Sequence, residues 1–255
     1  MIVSIVQLDI EWQNYQANLL KIDQLVDTID ETDLIIFPEM FTTGFTMETT
    51  SCSETMEGPI LKWMKSLAEK KQTAVTGSVI IQDGENYFNR MLFVPPGNQE
   101  VEYYDKRHLF GFGKEDVFFS SGSERKIVNY NGWRILLQIC YDLRFPVFSR
   151  NQDDYDLIIY VANFPDKRIQ AWNVLLQARA IENLSYTIGC NRVGSDPNGL
   201  TYQGDSSVYD YLGKRLMKIS HDESVLSLTL NLNAQSEFRE SFPFLKDADR
   251  FRLEK

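Results

Sequence analysis

The stretch "RILLQICYDLRFPVFSRNQDDYDLIIYVANF", residues 134–164, decides the fold class. "RILLQICYD" (134–142) reads as a strand. Its apolar lead-in, Leu136, Leu137 and Ile139, ends on Cys140 and runs straight into Asp142 and Arg144. "FPVFSRN" (145–151) reads as a short helix and "DLIIYVANF" (156–164) as a second strand. Strands this continuously apolar do not alternate between a wet and a dry face, so they belong to a sheet covered by helices. Strand, helix, strand in quick succession gives an α/β architecture.

The same grammar extends outward in both directions. Toward the N-terminus, "IVSIVQLD" (2–9) is a β-rich opening, and "NYQANLLKIDQLVDTI" (14–29) places Leu19, Ile22, Leu25, Val26 and Ile29 at helical spacing. "DLIIFPE" (33–39) is a short apolar strand closed by Pro38, and "PILKWMKSLAEKK" (59–71) is a helix. Residues 73–81 and 87–95 read as paired strands around the turn "DGEN", and 100–106 as one more strand. Toward the C-terminus, "AWNVLLQARAIENL" (171–184) is an amphipathic helix, and 186–193, 206–213 and 224–232 are strands. "DLIIF" at 33 and "DLIIY" at 156 each follow a strand and a helix, a hint of two similar halves. With no Pro/Gly/Ser-rich linker or low-complexity tract, residues 1–255 read as a single domain.

The chain carries 26 Lys and Arg against 36 Asp and Glu, a formal net charge of -10. That balance repels phosphate backbones and anionic lipid, so neither nucleic acid nor a membrane is an expected partner. "MIVSIVQLDIEW" has no Lys or Arg ahead of its apolar stretch, and no apolar run approaches bilayer length. A cytoplasmic location is expected. Cys52, Cys140 and Cys190 are three widely spaced cysteines, which fits a reducing compartment rather than a disulfide framework. His108 and His221 are the two histidines, and no Cys/His ligand spacing suggests a metal.

In open α/β sheets, ligands sit beyond the carboxyl ends of strands. Glu39, Lys106 and Cys140 each terminate one of the apolar runs. A thiol attacks a carbonyl as the thiolate. A nearby carboxylate can take its proton and later activate water. An ammonium, with a backbone N–H just past the nucleophile, can stabilise the oxyanion. Taken singly, each has an ordinary reading: Cys140 as a core residue, Glu39 as a cap, Lys106 as a solvated strand-end charge. Together they form a complete acyl-transfer set that needs no histidine. His108, two residues past Lys106, would make a Cys–His hydrolase instead; the alternative is a hydrogen-bonded turn histidine.

"FPEMFTTGF" (37–45), "YDKRHLF" (104–110) and "ICYDLRFPVFSR" (139–150) resemble, in order, the three signature segments of the nitrilase superfamily of carbon–nitrogen hydrolases. The resemblance covers essentially the whole chain. "VANFPDKRIQAWNVLLQARAIEN" (161–183), "NRVGSDPNG" (191–199) and "YQGDSSVYDYLG" (202–213) resemble its omega-amidase branch in particular. The resemblance implies an α-β-β-α sandwich, usually paired into a homodimer, with no metal or organic cofactor. It makes Glu39 the general base, Lys106 the oxyanion-stabilising lysine and Cys140 the nucleophile. Glu115 falls where the family often has a second glutamate that positions the lysine and the substrate amide; Asp116 is the alternative. The Tyr141 N–H would serve the oxyanion.

Omega-amidases as a group hydrolyse the terminal amide of short dicarboxylic acid monoamides such as 2-oxoglutaramate and 2-oxosuccinamate. A cation is then expected for the far carboxylate, with Arg144, Lys167 and Arg168 as candidates; the alternatives are an Arg144 that, with Asp142, locks the turn after Cys140 by pairing with neighbours, the reading favoured for it, and an Arg168 that faces solvent at a helix start. Among the aromatics near the three residues, Phe41, Phe45, Tyr104, Phe110, Phe112 and Phe164 are candidates to wall a small pocket, or else ordinary packing. Rival readings are another branch of the superfamily, a deaminated-glutathione amidase or carbamoyl-amine hydrolase; a redox-responsive thiol protein; and a non-catalytic scaffold.

Overall fold

The computed structural model describes residues 1–97 and 99–253. The first half runs β1 (Ile2–Gln7), α1 (Tyr15–Asp27), β2 (Leu34–Ile36), α2 (Thr49–Cys52), α3 (Pro59–Lys71), β3 (Ala74–Asp83), β4 (Asn86–Val94), β5 (Glu102–Asp105) and α4 (Glu115–Phe118). The second runs β6 (Ile127–Tyr130), β7 (Trp133–Ile139), α5 (Pro146–Ser149), β8 (Leu157–Val161), α6 (Ile169–Asn183), β9 (Tyr186–Cys190), β10 (Val193–Ser195), β11 (Thr201–Gln203), β12 (Ser207–Tyr209), β13 (Ser224–Thr229) and α7 (Leu232–Ser241).

One sheet has the order β13–β1–β2–β3–β4–β5 and the other β12–β9–β8–β7–β6, while β10 and β11 form a separate hairpin. The centre of each sheet is parallel, β1–β2–β3 in one and β7–β8–β9 in the other, and the flanking strands are antiparallel. Side chains alternate across each strand. Leu34 and Ile36 point inward and meet Ile135, Leu137 and Ile159 of the other sheet in one shared core. Ile35 points outward, under Ile22 and Val26 of α1 and Met64 of α3. On the far side, Ile158 and Tyr160 of β8 pack beneath Trp172, Leu176 and Ala180 of α6. This is the α-β-β-α sandwich the sequence resemblance implied.

Helix α3 keeps its expected bounds because both ends are written locally. Pro59 fits the first helical turn, and Gln72 takes a left-handed conformation that ends it. The repeated "DLII" segments are β2 and β8, the central strands. Each entry Asp does the same work: Asp33 Oδ2 accepts the Ile2 N–H at 2.6 Å, and Asp156 Oδ2 accepts the Arg134 N–H at 3.1 Å. In both cases a carboxylate ties the incoming strand to the start of its parallel neighbour.

Several strands are shorter than their apolar patterns suggest. The strand expected over 134–142 ends at Ile139, and Cys140–Arg144 forms a 3-10 turn. The strand expected over 186–193 breaks at Cys190, after which Val193–Ser195 joins the β10–β11 hairpin. Strand β6 and helix α7 have no counterpart in the sequence reading. Helix α7 is mostly polar and docks through its buried Gln235, which donates to the Asp156 carbonyl at 2.8 Å and the Leu184 carbonyl at 3.1 Å. Among the described residues no helix is long and apolar enough to cross a membrane.

Candidate active site

Glu39, Lys106 and Cys140 lie just past the ends of β2, β5 and β7 and meet at the seam between the sheets. Lys106 and Glu39 are fully buried, and so is Glu115 at the start of α4. Lys106 Nζ donates to Glu39 Oε1 at 2.8 Å and to the two Glu115 oxygens at 3.0 and 2.9 Å. Burial opposes its charge, but Glu115 and then Glu39 outweigh burial and hold the ammonium well above the ordinary lysine range. The Glu115 carboxyl is pushed up, first by burial and against the pull of Lys106.

Cys140 sits at φ 45°, a left-handed conformation rare for a side chain other than glycine's or asparagine's. Asp142 closes this turn. Its Oδ2 accepts the Ile139 N–H at 3.0 Å, and its Oδ1 accepts the His108 N–H at 3.1 Å. His108 Nδ1 lies 2.7 Å from the same Oδ1, and its ring stacks on Phe145 at 3.9 Å. The histidine is thus a turn residue bound to Asp142. Burial first, then the adjacent Glu39, pushes the Cys140 thiol well up, while Lys106 pulls it down.

Cys140, Glu39 and Lys106 open on a cavity of about 540 Å³. Of the residues singled out from sequence, Tyr141, Arg144, Phe164, Arg168 and Phe112 also line it, as do Phe45 and Phe110. Phe112 stands on the rim, 90% exposed. Phe41 does not belong to the site. It is wholly buried behind Glu39, tilted against Phe37 at 4.9 Å and Trp63 at 6.2 Å in the core under α3. Tyr104 is likewise buried away from the cavity, and Lys167 is exposed outside its lining. Cys190 is buried in the core shared by the sheets.

Arg144 lies over the Phe164 ring at 5.8 Å and Arg168 over Phe110 at 5.1 Å. Neither has a carboxylate within ion-pair distance among the described residues. Lys106, by contrast, is fully engaged. The cavity therefore has apolar walls, a buried charged floor and two arginines open to an anion.

Sequence reasoning missed three asparagines and a hairpin. Asn163 donates its N–H to Glu39 Oε2 at 2.9 Å and its Nδ2 to the Glu39 carbonyl at 2.6 Å. Asn191 holds both backbone groups of Phe164, at 2.8 and 2.9 Å. Asn89 Nδ2 reaches both buried carboxylates. Asn163 and Asn191 each follow a buried strand, the position from which the catalytic candidates were picked. Asn89 interrupts the apolar run "YFNRMLFV". The β10–β11 hairpin supplies Asp196, Asn198, Leu200 and Tyr202 to one wall. Among the described residues no group of three or more His, Cys, Asp and Glu side chains is arranged to hold a metal ion.

The profile of the carbon-nitrogen hydrolase family matches residues 2–240. The chain belongs to the carbon–nitrogen hydrolase family, within the nitrilase superfamily. This carbon–nitrogen hydrolase is 44% identical to the omega-amidase YafV of Escherichia coli (strain K12) over 252 residues, 98% of each chain. It is 29% identical over 250 residues to the 2-oxoglutaramate amidase of Bacillus subtilis (strain 168), 96% of each. A CN-hydrolase superfamily protein from Xanthomonas campestris, whose crystal structure carries an arsenic adduct in the active site, superposes with a TM-score of 0.96 at 42% identity. That match covers 100% of this chain and 99% of the other.

Proposed function

We propose that this hydrolase is an omega-amidase that releases ammonia from short dicarboxylic acid monoamides of the 2-oxoglutaramate type through a thioester on Cys140. The observation that carries the reading is the buried Glu39–Lys106–Glu115 cluster set against the cavity-facing Cys140. Relatives that span the whole chain bear the names omega-amidase and 2-oxoglutaramate amidase, which supports the substrate class.

In this scheme the resting nucleophile is a thiol, since burial and Glu39 both disfavour the free thiolate. Glu39 takes the Sγ proton as sulfur attacks the amide carbon. Lys106 and the Tyr141 N–H stabilise the oxyanion, in surroundings where a fixed charge acts strongly. Collapse breaks the C–N bond, and ammonia leaves with the proton that Glu39 held. Glu39 then takes a proton from water, which attacks the thioester and frees the acid and the thiol. Glu115 keeps Lys106 in place throughout. Arg144 and Arg168 receive the distal carboxylate, and Phe164 and Phe112 wall the chain between.

The test offers 2-oxoglutaramate and succinamate to the wild type and to Cys140→Ala, with ammonia assayed beside intact-protein mass spectrometry. Ammonia release and an acyl adduct are expected in the wild type alone. Ordinary turnover by the alanine variant would overturn the mechanism. Fast turnover of a carbamoyl amine, with none of 2-oxoglutaramate, would overturn the substrate class.

A further inference from the structure

We propose that Asn89 is a positioning residue for the nucleophile's base: one amide nitrogen that clips two buried carboxylates into the geometry in which Glu39 can accept the thiol proton. The inference deepens the reading of Glu39 as base and rests on it.

Asn89 is wholly buried in the middle of β4, opposite Ile80 of β3. Its Nδ2 donates to Glu39 Oε1 at 2.8 Å and to Glu115 Oε1 at 3.0 Å. Lys106 Nζ donates to the same two oxygens. Two acceptors and two donors thus alternate around a closed ring. The Asn89 carbonyl also accepts the Lys106 backbone N–H at 3.0 Å. One residue therefore fixes both the main chain that carries the lysine and the carboxylates that receive its ammonium.

The amide's orientation has no alternative. Turned over, its oxygen would face two carboxylates, while the NH₂ would lose both acceptors. In the observed orientation Asn89 Oδ1 is buried and has no hydrogen-bond partner among the described residues. Two buried carboxylates beside one ammonium also leave an excess negative charge, and a neutral donor shared between them offsets part of their repulsion. The charged and titratable groups facing Glu39 are Lys106 beyond β5, Glu115 of α4 and Cys140 beyond β7. Asn89 touches the first two directly and Cys140 through Glu39.

The experiment follows carboxamidomethylation of Cys140 by iodoacetamide against pH, read by mass spectrometry, in wild type, Asn89→Leu and Asn89→Asp. The readout is displacement of iodide by the thiol and not amide hydrolysis, so it does not require knowing which amide the enzyme turns over. Loss of a donor that favours the charged carboxylates should move the acid limb of the profile to higher pH by about one unit and slow alkylation about 10-fold at pH 6. Asn89→Asp, which is isosteric but adds a third acid, should be slower still. A role in packing alone gives the opposite order, with the isosteric variant near wild type. Asn89→Ala, which only deletes atoms, replaces Asn89→Leu if the larger side chain prevents folding. Profiles that superimpose on the wild type in folded variants would overturn the inference. An intact shift in a protein that hydrolyses no omega-amide would overturn the proposed substrate class and leave the role of Asn89 standing.

Discussion

Asp142 Oδ2 accepts the Tyr104 hydroxyl at 2.8 Å, which pins the turn carrying Cys140 to the strand that leads into Lys106. Cys140 and Lys106 come from different sheets, and this buried bond holds their backbones in register. Asp142→Asn keeps the volume but replaces one acceptor oxygen with a donor, facing either Tyr104 or the two His108 groups. Because misplacement by an ångström can lose orders of magnitude in rate, kcat should fall about 10- to 100-fold with KM little changed. Steady-state kinetics on 2-oxoglutaramate decide it; a wild-type kcat in a folded variant would remove Asp142 from the positioning machinery.

Lys106→Met leaves Glu39 and Glu115 buried side by side without a cation. Removing one member of a buried ionic cluster costs about 3–5 kcal/mol near neutral pH. Burial already raises the Glu115 carboxyl, and Lys106 restrains it most, ahead of the Asn89 and Phe110 hydrogen bonds. In the variant, the folded protein therefore binds a proton that the unfolded chain has shed above a glutamate pKa of about 4.3. Its stability should fall as pH rises above that value, so the deficit against wild type is small near pH 4 and largest toward neutrality. Urea denaturation at several pH values measures the gap; a deficit that does not vary with pH would contradict it.

Arg144→Gln and Arg168→Gln test the proposed distal anion site. Each should raise KM for 2-oxoglutaramate, and a charged hydrogen bond lost there corresponds to about a 10- to 100-fold fall in kcat/KM. Turnover of a neutral amide of equal length should change little. If both amides suffer alike, the arginines support the walls through Phe164 and Phe110 rather than binding the carboxylate.

Asp156 is the charged anchor of the C-terminal helix. It accepts from Arg134 Nη2 at 2.7 Å and Arg239 Nη1 at 2.8 Å. Burial alone would raise its carboxyl, but the Arg134 hydrogen bonds and charge hold it below the ordinary aspartate value. A depressed carboxyl contributes stability that is present above its unfolded pKa of about 3.9 and is lost as pH falls through the lower folded value. Asp156→Asn should therefore reduce stability at pH 7 by about 1.5–3 kcal/mol and flatten the acid side of the stability profile. Thermal melts between pH 2 and 7 would show it.

What could be read from the sequence was what hydrophobic period and chain order determine. Glu39, Lys106 and Cys140 stood out because each ends an apolar run, and a buried strand aims its end at the ligand side of a sheet. What could not be read depends on which face a loop residue turns to. Phe41 is two residues past Glu39 and looked like a pocket wall, yet its ring fills the space left by Gly77, where an added Cβ would come within 2.9 Å of it. Asn89 could not be singled out within its strand because its partners lie 50 and 26 positions away. Helix α7 was missed because the Gln235 amide and the Arg239 guanidinium share its docking with Leu232 and Phe238, which leaves no continuous apolar stripe in the sequence.

The seam between the sheets also sets when reactivity can arise during folding. Glu39 and Lys106 follow strands of one sheet and Cys140 a strand of the other, where Asp142 lies 34 positions beyond its hydrogen-bonded partner His108. Neither half alone places a carboxylate beside the thiol. Closing contacts of such long sequence separation is a slow step in folding. Before the two sheets dock, Cys140 has a cysteine's ordinary, unassisted chemistry. On the proposed reading of Glu39 as base, assisted reactivity arises only when the two sheets dock, so the rate of Cys140 alkylation by a small electrophile would report that last stage of assembly.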